Sequence, residues 1–193
     1  MKDRYHVNVG SVLSLERIND NGEREILLQL RKNTGYMDDH WEFAAGGHLE
    51  EGESFDEAMI REAKEELGID IAMEDLKICS VIHYIEEGYI IAYYRVSKYS
   101  GVPYIAEKDK SADLKWFPYD ELPENIIPYD DKVLQAMDLG VILDSDKFLN
   151  LEKALRKIEE GEKELFWLLF FAFKKFINLT FDIKWFIIDF HRT

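Results

Sequence analysis

Short apolar blocks separated by polar turns fill most of the chain. Residues 5–18 are rich in Val, Leu and Ile and read as a first strand. Asn19-Asp20-Asn21-Gly22 follows, and Asn-Gly between apolar runs is a strong hairpin signal. Residues 25–31 (EILLQLR) return as a second strand, and residues 31–36 leave the sheet as a loop. Residues 41–45 form a short strand running into Gly46-Gly47. Residues 76–84 and 89–98 pair around Glu86-Glu87-Gly88, and the second of them is apolar enough to lie centrally. Helical spacing takes over in two places, residues 54–68 and 130–143. The second has Val133, Leu134, Met137 and Val141 on one face.

The first of these helices is the more informative. Ser54 with Glu57 three positions later is a capping box, and Gly68 is placed to end the helix. At about 100° per residue, Met59, Ile60, Ala63 and Leu67 gather on a core stripe while Glu57 and Lys64 face water. Glu62, Glu65 and Glu66 form a third group, because positions i, i+3 and i+4 are neighbours on a helix. That group borders the apolar stripe. Like charges at this spacing repel by a few tenths of a kcal/mol each when exposed, and by more when desolvated. A cation should compensate, either Arg61 or a divalent ion. Hard oxygen ligands suit Mg²⁺ or Mn²⁺.

Gly47, Glu53 and the run Arg61-Glu62-Ala63-Lys64-Glu65-Glu66-Leu67-Gly68-Ile69 have the spacing of the Nudix box. The chain resembles a Nudix hydrolase, a family that cleaves a nucleoside diphosphate linked to another moiety. The resemblance implies an α/β fold, an α/β/α sandwich on a mixed central sheet. It implies a catalytic set of Glu62, Glu65, Glu66, Arg61 and Glu53. It also implies metal ligation by Glu62, Glu65, Glu66 and the carbonyl of Gly46. Ala45 stands where the family usually has proline before the glycine pair. A metal-binding glutamate of the best-known MutT-like enzymes falls on Ser97, so Glu107 or Asp109 in the next loop is the substitute.

Residues 107–128 carry a second resemblance, to small MutT-like nucleotide hydrolases. Trp116-Phe117 marks a strand, Asp120-Glu121-Leu122-Pro123 an acidic helix start, and Asn125 precedes Pro128. In the MutT-type pattern that asparagine reads the purine edge, and its amide can donate and accept at once. Asn125 is therefore a base-contact candidate as well as a turn residue. Arg31, at the end of the second strand, is a candidate for substrate phosphates. His40 and His48 read as polar loop residues, since a Mg²⁺ site has little use for imidazole.

The net charge is −15, which disfavours binding to nucleic-acid polymers or anionic membranes. A phosphate substrate is still compatible when metal ions neutralise it locally. A single cysteine, Cys79, rules out an intrachain disulfide and points to a reducing cytoplasm. It reads as a small buried hydrophobe. The N-terminus lacks a signal-peptide apolar region.

The hydrolase domain is expected over residues 1–144, with a helical and aromatic extension over 145–193. Within the extension, 145–160 is amphipathic, 165–173 (LFWLLFFAF) is apolar throughout, and 177–185 alternates. No stretch reaches the roughly 20 apolar residues that a membrane span needs. So aromatic a segment should cover the first domain, make a homodimer contact or lie in a membrane interface.

The expected activity is Mg²⁺-dependent hydrolysis of a nucleoside di- or triphosphate, including modified deoxynucleotides, to the monophosphate plus phosphate or pyrophosphate. An ADP-ribose or nucleotide-sugar pyrophosphatase is the alternative within enzymes. A non-catalytic nucleotide-sensing domain is the alternative outside them. The three box glutamates are present, which favours catalysis.

Overall fold

The structure is a computed structural model, and it describes residues 4–128, 130–139 and 142–144. The Asn-Gly turn joins β1 (Asn8–Ile18) to β2 (Arg24–Arg31). There follow β3 (Trp41–Phe43), β4 (Ala45–His48), α1 (Phe55–Leu67), a 3₁₀ turn at Met73–Asp75, β5 (Lys77–Tyr84), β6 (Tyr89–Val96), β7 (Ser111–Pro118), α2 (Asp130–Leu139) and β8 (Ile142–Asp144). Among these elements the sheet order is β3-β2-β1-β6-β5-β8, with β4 on β1 and β7 on β2. The β1–β6 and β5–β8 pairs are parallel and the rest antiparallel, so the sheet is mixed.

Strand alternation sorts the core into two layers. Leu13, Leu15, Leu27, Ala92, Tyr94 and Val96 face Met59, Ala63 and Leu67 of α1. Their sequence neighbours Val12, Ile26, Leu28, Ile91 and Tyr93 face Val133, Leu134 and Met137 of α2. One helix therefore covers each face of the sheet, the α/β/α arrangement expected. The YIIAYYRV strand, β6, is central as its composition required.

Strand β1 serves two partners. Its residues 10–13 pair with β4 and its residues 16–18 pair with β2. The glycine pair Gly46-Gly47 is thereby clamped flat against Val12 and Ser11 in the sheet next to α1. Cys79 is buried, its thiol directed at the Lys77 carbonyl.

The structure corrects several boundaries. Residues 41–45 are not one strand, because the chain bends at Ala44 between β3 and β4. The closing helix ends at Leu139 instead of continuing to 143. Residues Ile142–Asp144 are a strand parallel to β5, with Val81 opposite Ile142. A helical apolar spacing continued through a short strand because Ile142 and Leu143 suit either element. Asp120-Glu121 lies in a turn, not at a helix start; there Glu121 N–H bonds the Pro118 carbonyl. Val141 and the extension over 145–193 lie outside the described residues. Among the described residues no helix is long and apolar enough to cross a membrane.

Candidate active site

The acidic edge is placed by the way α1 is anchored. Ser54 Oγ accepts from the Glu57 amide at 3.2 Å, and Glu57 Oε2 accepts from the Ser54 amide at 2.9 Å. Gly68 ends the helix with φ 67°, and a Cβ there would also lie 2.1 Å from the Tyr104 ring. Two polar ties fix the first turn to the sheet. Ser11 Oγ donates to the Phe55 carbonyl at 2.9 Å, and the buried Tyr94 hydroxyl donates to Asp56. With both ends and the first turn held, the rotation of α1 is set. Ala58, Met59, Ala63 and Leu67 go inward, and Glu62, Glu65 and Glu66 go to the edge beside β4.

Arg61 is the hub of that edge. Its Nε and Nη2 grip the two oxygens of Glu53 at 2.9 and 3.0 Å. Its Nη1 reaches Glu62 Oε1 at 2.7 Å and Glu65 Oε2 at 3.2 Å, and Nη2 also donates to the His48 carbonyl at 3.0 Å. The forked guanidinium suits such bidentate work. The Arg61 bonds hold the Glu53 carboxylate below its usual range. The bonds from Glu53, then Glu62, make Arg61 harder to deprotonate.

Glu62 is only 9% exposed, and its carboxylate lies against the backbone of Gly47. A Cβ at position 47 would stand 2.0 Å from Glu62 Oε1, so only glycine leaves that carboxylate its place. Glu66 Oε2 accepts from the Gly46 amide at 2.9 Å, which places Glu66 beside the glycine pair. Burial pushes the Glu66 carboxyl up to about 8. The Gly46 bond opposes this, and Glu62, Glu107 and Glu42 add to it. Glu65 is the outlying member, its side chain 57% exposed.

Among the described residues no three acidic, imidazole or thiol groups converge on one point as they stand. Arg61 draws Glu62 and Glu65 to itself, and Glu66 leans on β4. The donors nevertheless fit a hard dication. All are oxygens, Gly47 leaves room for the Glu62 carboxylate, and Glu66 is a half-buried acid raised first by burial and then by the carboxylates of Glu62, Glu107 and Glu42. Glu62 and Glu66 are the two side chains best placed to hold it.

The outer candidates fare differently. Arg31 is committed to its own loop: Nη1 to Glu42, Nη2 to Thr34 Oγ1 at 2.9 Å and Nε to the Tyr36 carbonyl at 2.8 Å. Asn125 Nδ2 donates to the Asp39 carbonyl at 2.7 Å, and its own carbonyl accepts from Trp41 at 3.0 Å. Both side chains are seen tying loops together. Glu107 stands in the loop between β6 and β7, which is bonded to α1's last turn through Ala106 N–H and the Glu66 carbonyl, and it is paired with Lys110 Nζ at 2.8 Å. His40 Nδ1 sits 3.0 Å from the Asp38 carbonyl, and the His48 ring lies against Tyr89 at 5.5 Å between centroids. Sequence reasoning did not find the Tyr94–Asp56 anchor, the His48 carbonyl or Lys110. The first two depend on contacts between separate segments, and Lys110 on the bonding of its loop to Lys32 and, through Ala106, to α1.

Comparison with known proteins places this geometry. The family model described as NUDIX domain matches residues 5–137. Comparison with curated protein sequences returns no significant match. A MutT NUDIX hydrolase from Burkholderia pseudomallei is 27% identical, over 68% of this chain and 95% of that one, with a TM-score of 0.56. The MutT structure from a study of Aliivibrio salmonicida and Vibrio cholerae is 22% identical over 68% and 98%, with a TM-score of 0.52. The NUDIX domain of Shewanella oneidensis NrtR, complexed with ADP ribose, is 14% identical over 70% and 88%, with a TM-score of 0.56. The family match spans well over half of the chain and includes the whole of α1 and the glycine pair before it, so the chain belongs to the NUDIX domain family, is MutT-like, and is an enzyme of the pyrophosphohydrolase class.

Proposed function

We propose that the chain hydrolyses a nucleoside di- or triphosphate with Mg²⁺ or Mn²⁺, releasing the nucleoside monophosphate and phosphate or pyrophosphate. The observation that carries this reading is the pairing of a crowded carboxylate edge with a single arginine. Glu66 has only a backbone amide as its described hydrogen-bond partner there. When bound, the dication would neutralise phosphate oxygens and lower the pKa of the attacking water. Glu62 and Glu66 would hold it, together with the Gly46 carbonyl, Glu65 and Glu107 as the further oxygen donors of the site. Arg61 keeps Glu62 aimed through its grip on Glu53. Glu62 or Glu66 takes the proton from water. Asn125 is the proposed contact to the base edge and Arg31 the proposed contact to the phosphates.

A second reading, ADP-ribose as substrate, is supported by the Shewanella neighbour, which holds that ligand on the same fold. Product analysis separates the two: nucleoside monophosphate with pyrophosphate, against AMP with ribose phosphate. A panel of ordinary and modified nucleoside triphosphates and ADP-ribose, each with Mg²⁺ and with EDTA, tests the reading. Metal-dependent turnover of at least one is expected, and metal-independent or absent turnover of all overturns it. The single cysteine supports a cytoplasmic location. Residues 1–144 are proposed as the catalytic domain, and removal of 146–193 should leave turnover intact while reporting any role in dimerisation.

A further inference from the structure

A phosphate chain arriving at this edge meets Glu53, Glu62, Glu65, Glu66 and Glu107, so it needs cations beyond the metal. The nearby arginines are taken. Arg61 serves three carboxylates and a carbonyl, and Arg31 serves Glu42, Thr34 and Tyr36. Lys64 is held by both Asp70 oxygens at 2.8 Å on the water-facing side of α1. Lys110 differs. Its described partner is Glu107, at 3.1 and 2.8 Å, and its side chain is 63% exposed, so donors remain for a ligand.

Its position is also fixed. Lys110 N–H bonds the Glu107 carbonyl at 3.1 Å, and its carbonyl accepts from Lys32 at 2.8 Å. Asn33 Nδ2 holds the adjoining Asp109 carbonyl at 3.2 Å. The same loop is stitched to the last turn of α1, through Ala106 N–H to the Glu66 carbonyl at 3.0 Å and Tyr104 N–H to the Leu67 carbonyl at 3.1 Å.

We propose that Lys110 binds the phosphate chain of the substrate, resting on Glu107 between turnovers and passing to a phosphate oxygen when substrate arrives. This rests on the hydrolase reading above. The Glu107–Lys110 pair would then part, so that the ammonium gains a phosphate and the freed carboxylate becomes available to a dication.

The test compares the full-length protein with Lys110→Met, Lys110→Arg and Glu107→Gln. Two readouts are taken: kcat and KM for the best nucleotide of the panel, and calorimetric affinity for magnesium pyrophosphate. Lys110→Met should raise KM about tenfold with kcat changed less than about threefold, the size expected for one half-exposed charge-assisted hydrogen bond. It should weaken pyrophosphate binding to match, and Lys110→Arg should recover most of both. Glu107→Gln should lower metal affinity. Unchanged KM and pyrophosphate affinity in Lys110→Met overturn the proposal. So does a loss that arginine does not rescue and that tracks a fall in melting temperature. If the wild-type protein turns over no nucleotide, the hydrolase reading fails, and the pyrophosphate arm still decides Lys110.

Discussion

The two faces of the sheet each carry a charged cluster, and they are built on opposite terms. On the α2 face Glu16, 5% exposed, takes Arg24 at 2.8 and 3.0 Å, Arg95 at 2.8 Å and the Ser14 hydroxyl at 2.9 Å. Arg95 continues to Asp138 at 2.7 Å, and Arg24 lies 3.6 Å from the Tyr119 ring centroid. Two cations meet two anions, and each is hydrogen-bonded. On the α1 face one guanidinium is shared by Glu53, Glu62 and Glu65, while burial drives Glu66 towards its protonated form. A closed cluster holds β1, β2, β6 and α2 together. An open one holds a deficit of positive charge where a ligand can enter.

Breaking each cluster should therefore have opposite signatures. The largest effect belongs to the open cluster. Glu62→Gln and Glu66→Gln should each lower kcat by about a hundredfold or more, as expected when several kcal/mol of metal-borne charge stabilisation is lost. The fold should remain, as read by circular dichroism. Next, Glu16→Gln leaves Arg24 and Arg95 against a neutral amide. Urea unfolding should show a loss of about 3 kcal/mol, in the range for breaking a buried pair, with kcat per folded molecule unchanged. Gly47→Ala comes third. The added methyl collides with Glu62 Oε1, so activity should fall by roughly tenfold or more with little change in urea midpoint.

Fourth is a pH effect of known sign. Burial raises Glu66 to about 8 in the metal-free chain, so folding retains a proton that the unfolded chain gives up from about 4.5 upwards. Stability from this group falls as pH rises from about 5 to 8. Melting in EDTA should therefore drop across that window in wild type, and drop less in Glu66→Gln. Saturating Mg²⁺ should flatten the wild-type curve, because a dication favours the ionised carboxyl. The smallest effect is expected at Asn125. Asn125→Ala loosens the tie to Asp39, and a changed ranking of nucleobases without a change in melting temperature would return it to the substrate site.

The α1 region was legible because its signals are local. Ser54, Glu57 and Gly68 cap a helix within one stretch, and 3.6-residue geometry alone puts Glu62, Glu65 and Glu66 together. The central place of β6 followed from its apolar run for a similar reason. Arg31 and Asn125 have resting partners that the sequence does not show, because those partners are set by loop folding. A guanidinium in sequence carries no mark that Glu42, Thr34 and Tyr36 will close around it. The Glu16–Arg95 bond spans 79 positions and needs the parallel pairing of β1 with β6 before it can exist. The strand at Ile142–Asp144 was hidden because three residues are too few for any periodicity to declare itself.

The claim beneath these comparisons is that the α1 edge is short of one divalent cation while the α2 cluster is complete. Titration with Mn²⁺, followed by the loss of its free electron-paramagnetic-resonance signal, tests this directly in wild type, Glu66→Gln and Glu16→Gln. Saturable uptake by wild type, equal uptake by folded Glu16→Gln and at least about tenfold weaker uptake by Glu66→Gln is the expected result. Equal binding by all three proteins, or no saturable binding by wild type with or without nucleotide, would contradict it.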